Sequence, residues 1–264
     1  MTKVKELIHF LENIAPLDLQ ESYDNAGLLT GSPDMQVQGV LCTLDTTPEV
    51  VQEAIDNDLN VIVSHHPIIF QGLKSLTGDN YITRSVIKAI KHDIAIYAIH
   101  TNLDKVLHNG VNQGMCQQLG LTNIRILQTQ NEDPNIGMGA IGELPTELTW
   151  SHFLSKVKND FSLETFKYTS APEIDKIIRV AVCGGSGSFL LSDAIRAGAQ
   201  AFISADFKYH QYFDAENKIN ILDIGHYESE KHTITLLNKL ISNKFRNFAA
   251  HSTKINTNPV RFYN

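Results

Sequence analysis

VIVSHHPIIF, residues 61–70, joins an apolar strand pattern to two adjacent histidines and a proline. Neighbouring side chains of an extended strand point to opposite faces, so His65 and His66 can reach one site only where the strand has ended. Pro67 favours a turn at this point because its ring fixes the backbone. The stretch therefore predicts a strand that delivers both histidines to a turn, although two histidines in a surface loop would give the same pattern.

Strand and helix patterns alternate on both sides of this stretch. Before it, residues 37–44 form an apolar strand pattern, and Thr47 and Pro48 then have the chemistry of a helix start. After it, an amphipathic helix pattern at 81–92 precedes the strand pattern IAIYAI at 94–99. Alternation at this spacing favours a parallel α/β sheet.

The alternation changes near residue 125, where two shorter, more exposed strand patterns flank the polar residues 129–135. It resumes further on, with strand patterns that include 176–183 and 219–224. We therefore expect an α/β fold of two similar α/β domains with mostly parallel sheets. The expected bounds are residues 1–125 with about 215–264 for a metal-binding domain, and about 126–214 for the second domain.

The two halves of the chain are weakly similar at an offset of 140 residues. The coinciding positions are Ala54-Ile55 with Ala194-Ile195, Ser64 with Ser204, and His66 with Asp206. An internal duplication would produce such coincidences, and so would chance among α/β segments.

Composition excludes several classes of protein. The chain has 264 residues, 42% of them hydrophobic and 19% charged, which excludes a disordered or coiled-coil chain. The net charge of −7, without a run of Lys or Arg, argues against general nucleic-acid binding. The N-terminus has an amphipathic helix pattern, and no apolar run approaches the roughly 20 residues of a membrane span. Three scattered cysteines indicate a reducing compartment, so we expect a cytoplasmic protein without a membrane partner.

Two more strand patterns are followed by residue types that commonly bind metals. IAIYAI runs into His100 and Asp104, and INILDI runs into His226 and Glu230, whose spacing places them on one helical face. In open α/β sheets the functional crevice lies beyond the carboxyl ends of the strands, so three strands converge on one place. A lone His-x-x-x-Glu is usually a solvated helix face, but three such strand ends favour a metal site.

Five ligand-type side chains suit two metals that share a carboxylate, with Glu230 as the candidate bridge. They are His65, His66, Asp104, His226 and Glu230. Two divalent ions with two carboxylates leave a net positive charge, which favours an anionic small-molecule substrate such as a phosphate ester or nucleotide. Imidazole and carboxylate together admit Zn, Mn, Fe, Co or Ni. We expect this dinuclear centre at the strand carboxyl ends, in the cleft between the domains.

Nine motifs extend over nearly the whole chain: ESYDNAGLLTG, GVLCTLDTTPEVV, VSHHPIIF, HTNLD, GVN, VAVCGGSGS, SADFKYH, DIGHYESE and NTNP. In combination they resemble the Nif-three-like dinuclear metal proteins, often called GTP cyclohydrolase I type 2 homologues. The resemblance implies the same five metal ligands, with His100 lining their pocket. It also implies assembly into toroidal homohexamers and GTP ring opening as the activity. The chain is too short for the inserted domain that some members carry.

Three residues that follow the strand pattern AFIS are implied by the resemblance to bind substrate, opposite the metals. They are Asp206, Lys208 and His210, although Lys or His after a strand is more often a solvated loop residue. The glycine-rich stretch 184–188 could hold an anion on its backbone N–H groups or form a tight turn. Asp24 and Asn25 could orient a metal-bound histidine or form an Asx turn.

These features predict a metal-dependent hydrolase that acts on a nucleotide or another phosphorylated small molecule. His100 would transfer a proton, and Glu230 would bridge the metals. A non-catalytic ring-shaped metal-binding scaffold or regulatory interaction protein is the alternative. Five ligands for two ions leave open positions, as in catalytic sites, and this favours the hydrolase.

Overall fold

The computed structural model describes residues 1–263, which form two compact units. The first unit comprises Met1–Leu103 and Thr233–Pro259, and the second comprises Asp104–His232 with the residues from Val260 onward. The strands are β1 (Gly27–Thr30), β2 (Gly39–Thr43), β3 (Val61–Ser64), β4 (Ala95–Ala98), β5 (Thr122–Gln130), β6 (Asp133–Thr149), β7 (Lys167–Tyr168), β8 (Lys176–Ser186), β9 (Ala201–Ala205), β10 (Asn220–Asp223) and β11 (Ala249–Ser252). The α-helices are α1 (Val4–Ile14), α2 (Pro48–Asp56), α3 (Tyr81–Lys91), α4 (Thr101–Lys105), α5 (Val111–Gln118), α6 (Trp150–Asp160), α7 (Leu191–Arg196), α8 (His226–Glu230) and α9 (His232–Lys244), with 3₁₀ helices at Leu17–Leu19, Ser188–Leu190 and Tyr209–Ala215.

The first unit contains a five-stranded sheet in the order β1-β4-β3-β2-β11. Its pairings are parallel except for β1, which runs antiparallel to β4. The carboxyl ends of β2, β3 and β4 therefore lie at one edge of the sheet. This edge is where the sequence places His65, His66 and His100.

Local sequence explains the helix that follows β2. Thr47 accepts a hydrogen bond from the backbone N–H of Val50 and Pro48 occupies the first turn, as predicted. The helix buries Val50, Val51 and Ala54 against Leu41 of β2 and Ile62 of β3. Apolar contacts between this helix and the parallel strands form the core of the first unit.

The second unit contains a six-stranded mixed sheet in the order β5-β6-β8-β9-β10-β7. Only β8, β9 and β10 pair in parallel, and the outer strands run antiparallel. The predicted α/β class is thus confirmed, but the parallel pairings of the second sheet are confined to its centre.

Both faces of the second sheet are buried. Val180 and Val182 of β8 point to one face, where they pack in a cluster with residues of α5 and α6. Ala181 and Cys183 point to the other face, in a cluster with residues of α7. Alternate residues of a strand face opposite sides, so a continuous apolar run serves both layers.

The antiparallel hairpin of β5 and β6 is longer than the two short strands that the sequence predicts. Asn131 and Glu132 have φ values of 52° and 60°, the left-handed conformations of a two-residue hairpin turn. Because the turn takes only two residues, the polar residues on either side of it belong to β5 and β6. β5 is an edge strand with mostly exposed side chains, in agreement with the predicted exposure.

The two sheets share an arrangement of strands. In each, three consecutive parallel strands end beside a short antiparallel strand: β2-β3-β4 beside β1, and β8-β9-β10 beside β7. The offset of 140 residues aligns β2 with β8 and β3 with β9. The weak similarity between the halves of the sequence therefore falls on equivalent strands.

The borders of the units differ from the expected domain bounds near residues 125 and 215. α5 packs in the second unit, where Met115, Cys116 and Leu119 join the cluster around α6. α8 likewise belongs to the second unit. Because these packing partners are distant in sequence, the change in the strand pattern near residue 125 does not mark the border.

The cysteines Cys42, Cys116 and Cys183 are buried thiols. Burial raises their pKa values, that of Cys116 to about 12, so these thiols stay protonated at neutral pH. Among residues 1–263, none of the helices has both the length and the hydrophobicity needed to cross a membrane.

Candidate metal centre

The backbone at the end of β3 fixes the two adjacent histidines. The N–H of His65 donates to the carbonyl oxygen of Thr43 at 3.1 Å, and the N–H of His66 donates to that of Leu44 at 2.9 Å. The hydroxyl of Ser64 then donates to the carbonyl oxygen of His66 at 2.9 Å. Pairing with the neighbouring chain thus continues past the strand into the turn, which presents both rings at the sheet edge.

Three imidazoles form a cluster within the first unit. The ring centroids of His65 and His66 lie 5.0 Å apart, and each lies 5.3 Å from that of His100. Each ring offers one nitrogen within 4.8 Å of the corresponding nitrogens of the other two. The predicted convergence of β3 and β4 therefore brings together His65, His66 and His100.

An oxygen atom orients each of the three rings through its Nδ1. The acceptors are the carbonyl of Ile99 for His65 (2.8 Å), Asp45 Oδ1 for His66 (2.8 Å) and Asp24 Oδ1 for His100 (2.7 Å). Carbonyl and carboxylate oxygens only accept, so Nδ1 carries the proton in each ring. A metal bound by these rings would be ligated through Nε2, with the usual oxygen partner behind each imidazole.

The side chain of Asp24 is buried and connects His100 to the start of α4. Its Oδ2 accepts hydrogen bonds from the backbone N–H and the hydroxyl of Thr101. Burial raises the pKa of Asp24, but the hydrogen bonds with His100 and Thr101 lower it by more, from 3.8 to about 2. These bonds therefore stabilise the fold above pH 3.8, and their contribution is lost as the pH falls towards 2. Asn25 instead donates its side-chain N–H to the carbonyl of Ile69 at 2.6 Å.

Asp45 is a positioning residue that the sequence analysis missed. One of its oxygens bonds to His66, and the other accepts from the hydroxyl of Thr257 at 2.6 Å. Asp45 lies two residues beyond β2, so the strand-end argument used for the histidines would have found it. The position of Thr257 depends on a contact 212 residues away in sequence, which no local pattern reports.

The second unit holds a separate set of donors at the end of β10. His226 and Glu230 lie on α8, with His226 Nε2 and Glu230 Oε2 3.2 Å apart. Asp206, which follows β9, bonds through Oδ2 to His226 Nδ1 at 2.7 Å. The carboxylate of Asp104 offers an oxygen within 4.8 Å of one from Glu230. Asp104, His226 and Glu230 are therefore close together within this unit.

Electrostatic interactions among Asp206, His226 and Glu230 shift the pKa values of His226 and Asp206. Burial lowers the pKa of His226, but hydrogen bonds and attraction from Asp206 and Glu230 raise it by more, to about 11. The bond with His226 lowers the pKa of Asp206. The imidazole of His226 is therefore protonated at neutral pH when carboxylates alone surround it.

The glycine-rich stretch packs against these donors. The N–H of Gly184 donates to Asn112 Oδ1 and that of Gly185 to the hydroxyl of Ser229, both at 3.0 Å. These two amides are thus used within the fold and do not face an anion. Both glycines belong to β8, so this part of the stretch is strand rather than a tight turn. Gly185 has a φ of 59°, and a Cβ there would lie 2.5 Å from Glu230 Oε1. Only glycine lets the backbone pass so close to the donors.

The three residues assigned to substrate binding have different surroundings. Asp206 contacts His226, as described above. Lys208 and His210 are exposed, and the ring of His210 lies against Tyr209 and Phe213, with centroids 5.2 and 6.3 Å apart. A role of Lys208 and His210 in substrate binding stays a prediction.

Relatives of known sequence cover nearly the whole chain. A Clostridium acetobutylicum protein named GTP cyclohydrolase 1 type 2 homolog is 33% identical over 257 residues, which are 97% of this chain and 93% of the relative. A Staphylococcus aureus protein of the same name is 28% identical over an alignment of 370 residues, covering 98% of this chain and 100% of the relative. The longer alignment agrees with an insertion in that relative.

Solved structures and a family profile give the same result. A Staphylococcus aureus protein superposes with a TM-score of 0.90 at 31% identity, covering 99% of both chains. A Bacillus cereus protein related to NIF3 gives a TM-score of 0.90 at 26% identity, covering 100% of this chain and 99% of the other. The profile of the Duf34/NIF3 family (NGG1p interacting factor 3) matches residues 2–259. This chain therefore belongs to the Duf34/NIF3 family.

Proposed function

We propose that this protein is a metal-dependent hydrolase with two divalent ions per chain, acting on a nucleotide or another phosphorylated small molecule. The observation that carries the proposal is the imidazole cluster, in which each Nδ1 is held by an oxygen. This orients Nε2 of His65 and His66 for ligation. The proposed ligands are His65, His66, Asp104, His226 and Glu230, with Glu230 shared between the ions.

The donors of the two units suit the same metals. The imidazoles of the first unit and the imidazole and carboxylates of the second form a mixed set that admits Zn, Mn, Fe, Co or Ni. Two such ions supply Lewis acidity and lower the pKa of bound water. Each imidazole of the first unit has an oxygen hydrogen-bonded to its Nδ1, as metal-bound histidines usually do, and this supports a metal centre rather than a chance cluster of histidines.

The residues of the chain would move protons and bind the anion. Asp24 fixes the tautomer and orientation of His100, so that its Nε2 is the atom that accepts a proton from a reacting group. Asp206 accepts a hydrogen bond from Nδ1 of His226 and thereby orients that ring as well. The positive charge of the centre would attract the phosphates of the substrate. GTP ring opening is the specific reaction suggested by the names of the relatives.

Turnover assays on the reconstituted protein test the proposal. Protein loaded separately with Mn, Zn, Fe, Co or Ni is offered GTP, other nucleotides and phosphomonoesters, and product formation is measured. We expect turnover with at least one metal and one substrate class. Two ions bound per chain without turnover would instead favour the non-catalytic metal-binding scaffold.

The proposed cytoplasmic location agrees with the buried thiols.

The proposed homohexamer has its own test. Light scattering on the purified chain should give the mass of six copies. The mass of a single chain would remove this proposal and leave the metal centre unaffected.

Removing the partner of His66 should weaken metal binding. Loss of an oxygen partner behind a metal-bound imidazole typically costs 10–100-fold in affinity, so we expect Asp45→Ala to raise the metal Kd by about that factor. Competition with a chromophoric chelator measures the Kd. Asp34→Ala is the control, because Asp34 is exposed and pairs with Lys3 and Lys5. Equal affinities in the two variants would contradict the role of Asp45.

Metal binding should release a proton from His226. Because the pKa of His226 is about 11 next to Asp206 and Glu230, ligation through this ring must displace a proton even above pH 7.5, where ordinary histidines are neutral. Affinity should therefore keep rising with pH between 7.5 and 9. Calorimetry in buffers of different ionisation enthalpy counts the protons, and Asp206→Asn should reduce the number. A pH-independent affinity without proton release would contradict ligation through a His226 whose pKa is raised.

A further inference from the structure

A cavity in the second unit lies outside the donor set described above. It has a volume of about 400 Å³ and a mostly apolar lining from β7 and the 3₁₀ helix at 209–215. The lining residues are Lys167, Tyr168, Thr169, Tyr209, Tyr212 and Phe213, which we call the aromatic pocket. Tyr209 is 72% exposed and Phe213 is 63% exposed, so both rings present their surfaces to solvent. Their centroids lie 5.4 Å apart.

A buried carboxylate organises the polar side of the aromatic pocket. Asp223 is only 4% exposed and accepts hydrogen bonds from Lys167 Nζ at 2.8 Å and from the hydroxyl of Tyr212 at 2.9 Å. Burial and the charge of Asp223 raise the pKa of Tyr212 to about 12, which keeps this phenol protonated. The ammonium of Lys167 is therefore held in one place beside aromatic rings.

The chemistry of the pocket selects a class of ligand. The charge of Lys167 is balanced by Asp223, so the site does not require an anion. An ammonium has three N–H donors, and the bonds to Asp223 and to the hydroxyl of Tyr212 account for two of them. The aromatic side chains offer apolar rings, and ring stacking is the usual way in which proteins bind bases without regard to sequence. The volume lies within the range of small-molecule sites.

We propose that the aromatic pocket binds a planar nitrogen heterocycle, specifically the base of a nucleotide. The rings of Tyr209 and Phe213 lie at 70° to each other, so the base stacks on Tyr209 and meets Phe213 with its edge. Lys167 donates a hydrogen bond to an acceptor on the edge of the base. A base with a carbonyl oxygen or ring nitrogen on that edge satisfies this geometry.

The pocket adjoins the donors of the second unit through Asp223. The same carboxylate accepts from the backbone N–H of Gly225 at 3.3 Å, and Gly225 directly precedes His226. A nucleotide whose base lies in the aromatic pocket would thus be bound beside Asp223, three residues before the helix that carries His226 and Glu230. This link to catalysis rests on the proposed function, whereas binding of the base does not.

Nucleosides test the pocket without involving phosphate or metal. The full chain, kept in a chelator, is titrated with inosine, adenosine and cytidine, and binding is followed by saturation-transfer NMR and tyrosine fluorescence. We expect binding that weakens about 5- to 100-fold in Tyr209→Ala, the effect of one lost stack, and at least 5-fold in Lys167→Met. Both side chains are exposed enough for the variants to fold, which circular dichroism checks.

Two variants serve as matched controls. Phe189→Ala removes another exposed aromatic ring of the second unit, 56% exposed and outside the pocket. Lys176→Met removes a lysine with the same 68% side-chain exposure as Lys167, paired with Glu147 at 2.9 Å. Neither should change nucleoside affinity.

The outcomes separate the pocket from the proposed function. Absence of nucleoside binding by the folded protein overturns the pocket, whatever the hydrolase assays give. Equal weakening by control and test variants also overturns it. Nucleoside binding without turnover on any metal supports the pocket and counts against the hydrolase. If Tyr209→Ala changes the mass in light scattering while nucleosides do not bind, the rings form an interface between copies and the proposal is wrong.

Discussion

Replacing Glu230 by glutamine is expected to lower the metal content from two ions per chain to one or fewer. Glu230 is 3% exposed, contacts His226 and lies close to Asp104, so it is the central carboxylate of the second unit. An amide is a poor ligand for a bridging position because it carries no charge. The loss of affinity should exceed the 10–100-fold effect of removing an outer partner. Elemental analysis after dialysis measures the metal content.

Glu228→Gln is the matched control for this variant. Glu228 lies on the same short helix, two residues earlier, and is partly exposed. We expect it to retain both ions. Full metal occupancy in Glu230→Gln, or equal losses in both variants, would contradict the bridging role.

Replacing Asp24 by alanine is expected to destabilise the metal-free protein by about 3 kcal/mol. The fully buried carboxylate accepts hydrogen bonds from His100, from both donors of Thr101 and from the backbone N–H of Asn25. Alanine leaves these four donors without their acceptor. The bonds are only partly buried, so water satisfies some of the donors, and the total loss is that of one or two unsatisfied buried donors at about 1–3 kcal/mol each. Urea unfolding in a chelator measures the free energy of unfolding.

Two further variants show whether the carboxylate itself is responsible. Asp24→Asn keeps the shape and one acceptor, so its loss of stability should be smaller. Asp34→Ala removes an exposed carboxylate and should leave the unfolding midpoint nearly unchanged. A loss below about 1 kcal/mol in Asp24→Ala would show that water replaces the carboxylate and that it does not fix His100.

The imidazole cluster could be predicted from the sequence because parallel strands place the residues that follow them at the same edge of the sheet. An apolar strand that stops at His65 and His66, and another that stops at His100, must bring these rings to one edge of a parallel sheet. The structure has this arrangement. The oxygen partners were only partly predicted, since Asp24 was considered and Asp45 was not.

Other features depend on contacts that local patterns do not contain. β1 lies within residues 16–36, which have the pattern of a polar loop, and β7 was not predicted. Both are strands because each pairs with an edge of a sheet. β8 continues to Ser186 through the glycine-rich stretch, which was expected to be a loop. The helix predicted from His226 to Ile241 is two helices, α8 and α9, which adjoin at Lys231. The side chain of Lys231 donates to the carbonyl of Phe161 at 2.8 Å, a partner 70 residues away.

The aromatic pocket also depends on contacts that the local sequence pattern does not contain. Tyr209, Tyr212 and Phe213 were not predicted as site residues, because nothing in the sequence indicates that β7 lies beside them. The pairing of β7 with β10 places Lys167 beside Asp223 and closes the aromatic pocket.

Anomalous diffraction from crystals of the metal-loaded protein tests the central claim most directly. Data collected at the absorption edge of the bound metal locate each ion without assumptions about its ligands. We expect two peaks per chain, with Nε2 of His65, Nε2 of His66 and a carboxylate oxygen of Glu230 each within about 2.3 Å of an ion. Peaks elsewhere in the chain, with these three side chains unligated, would contradict it.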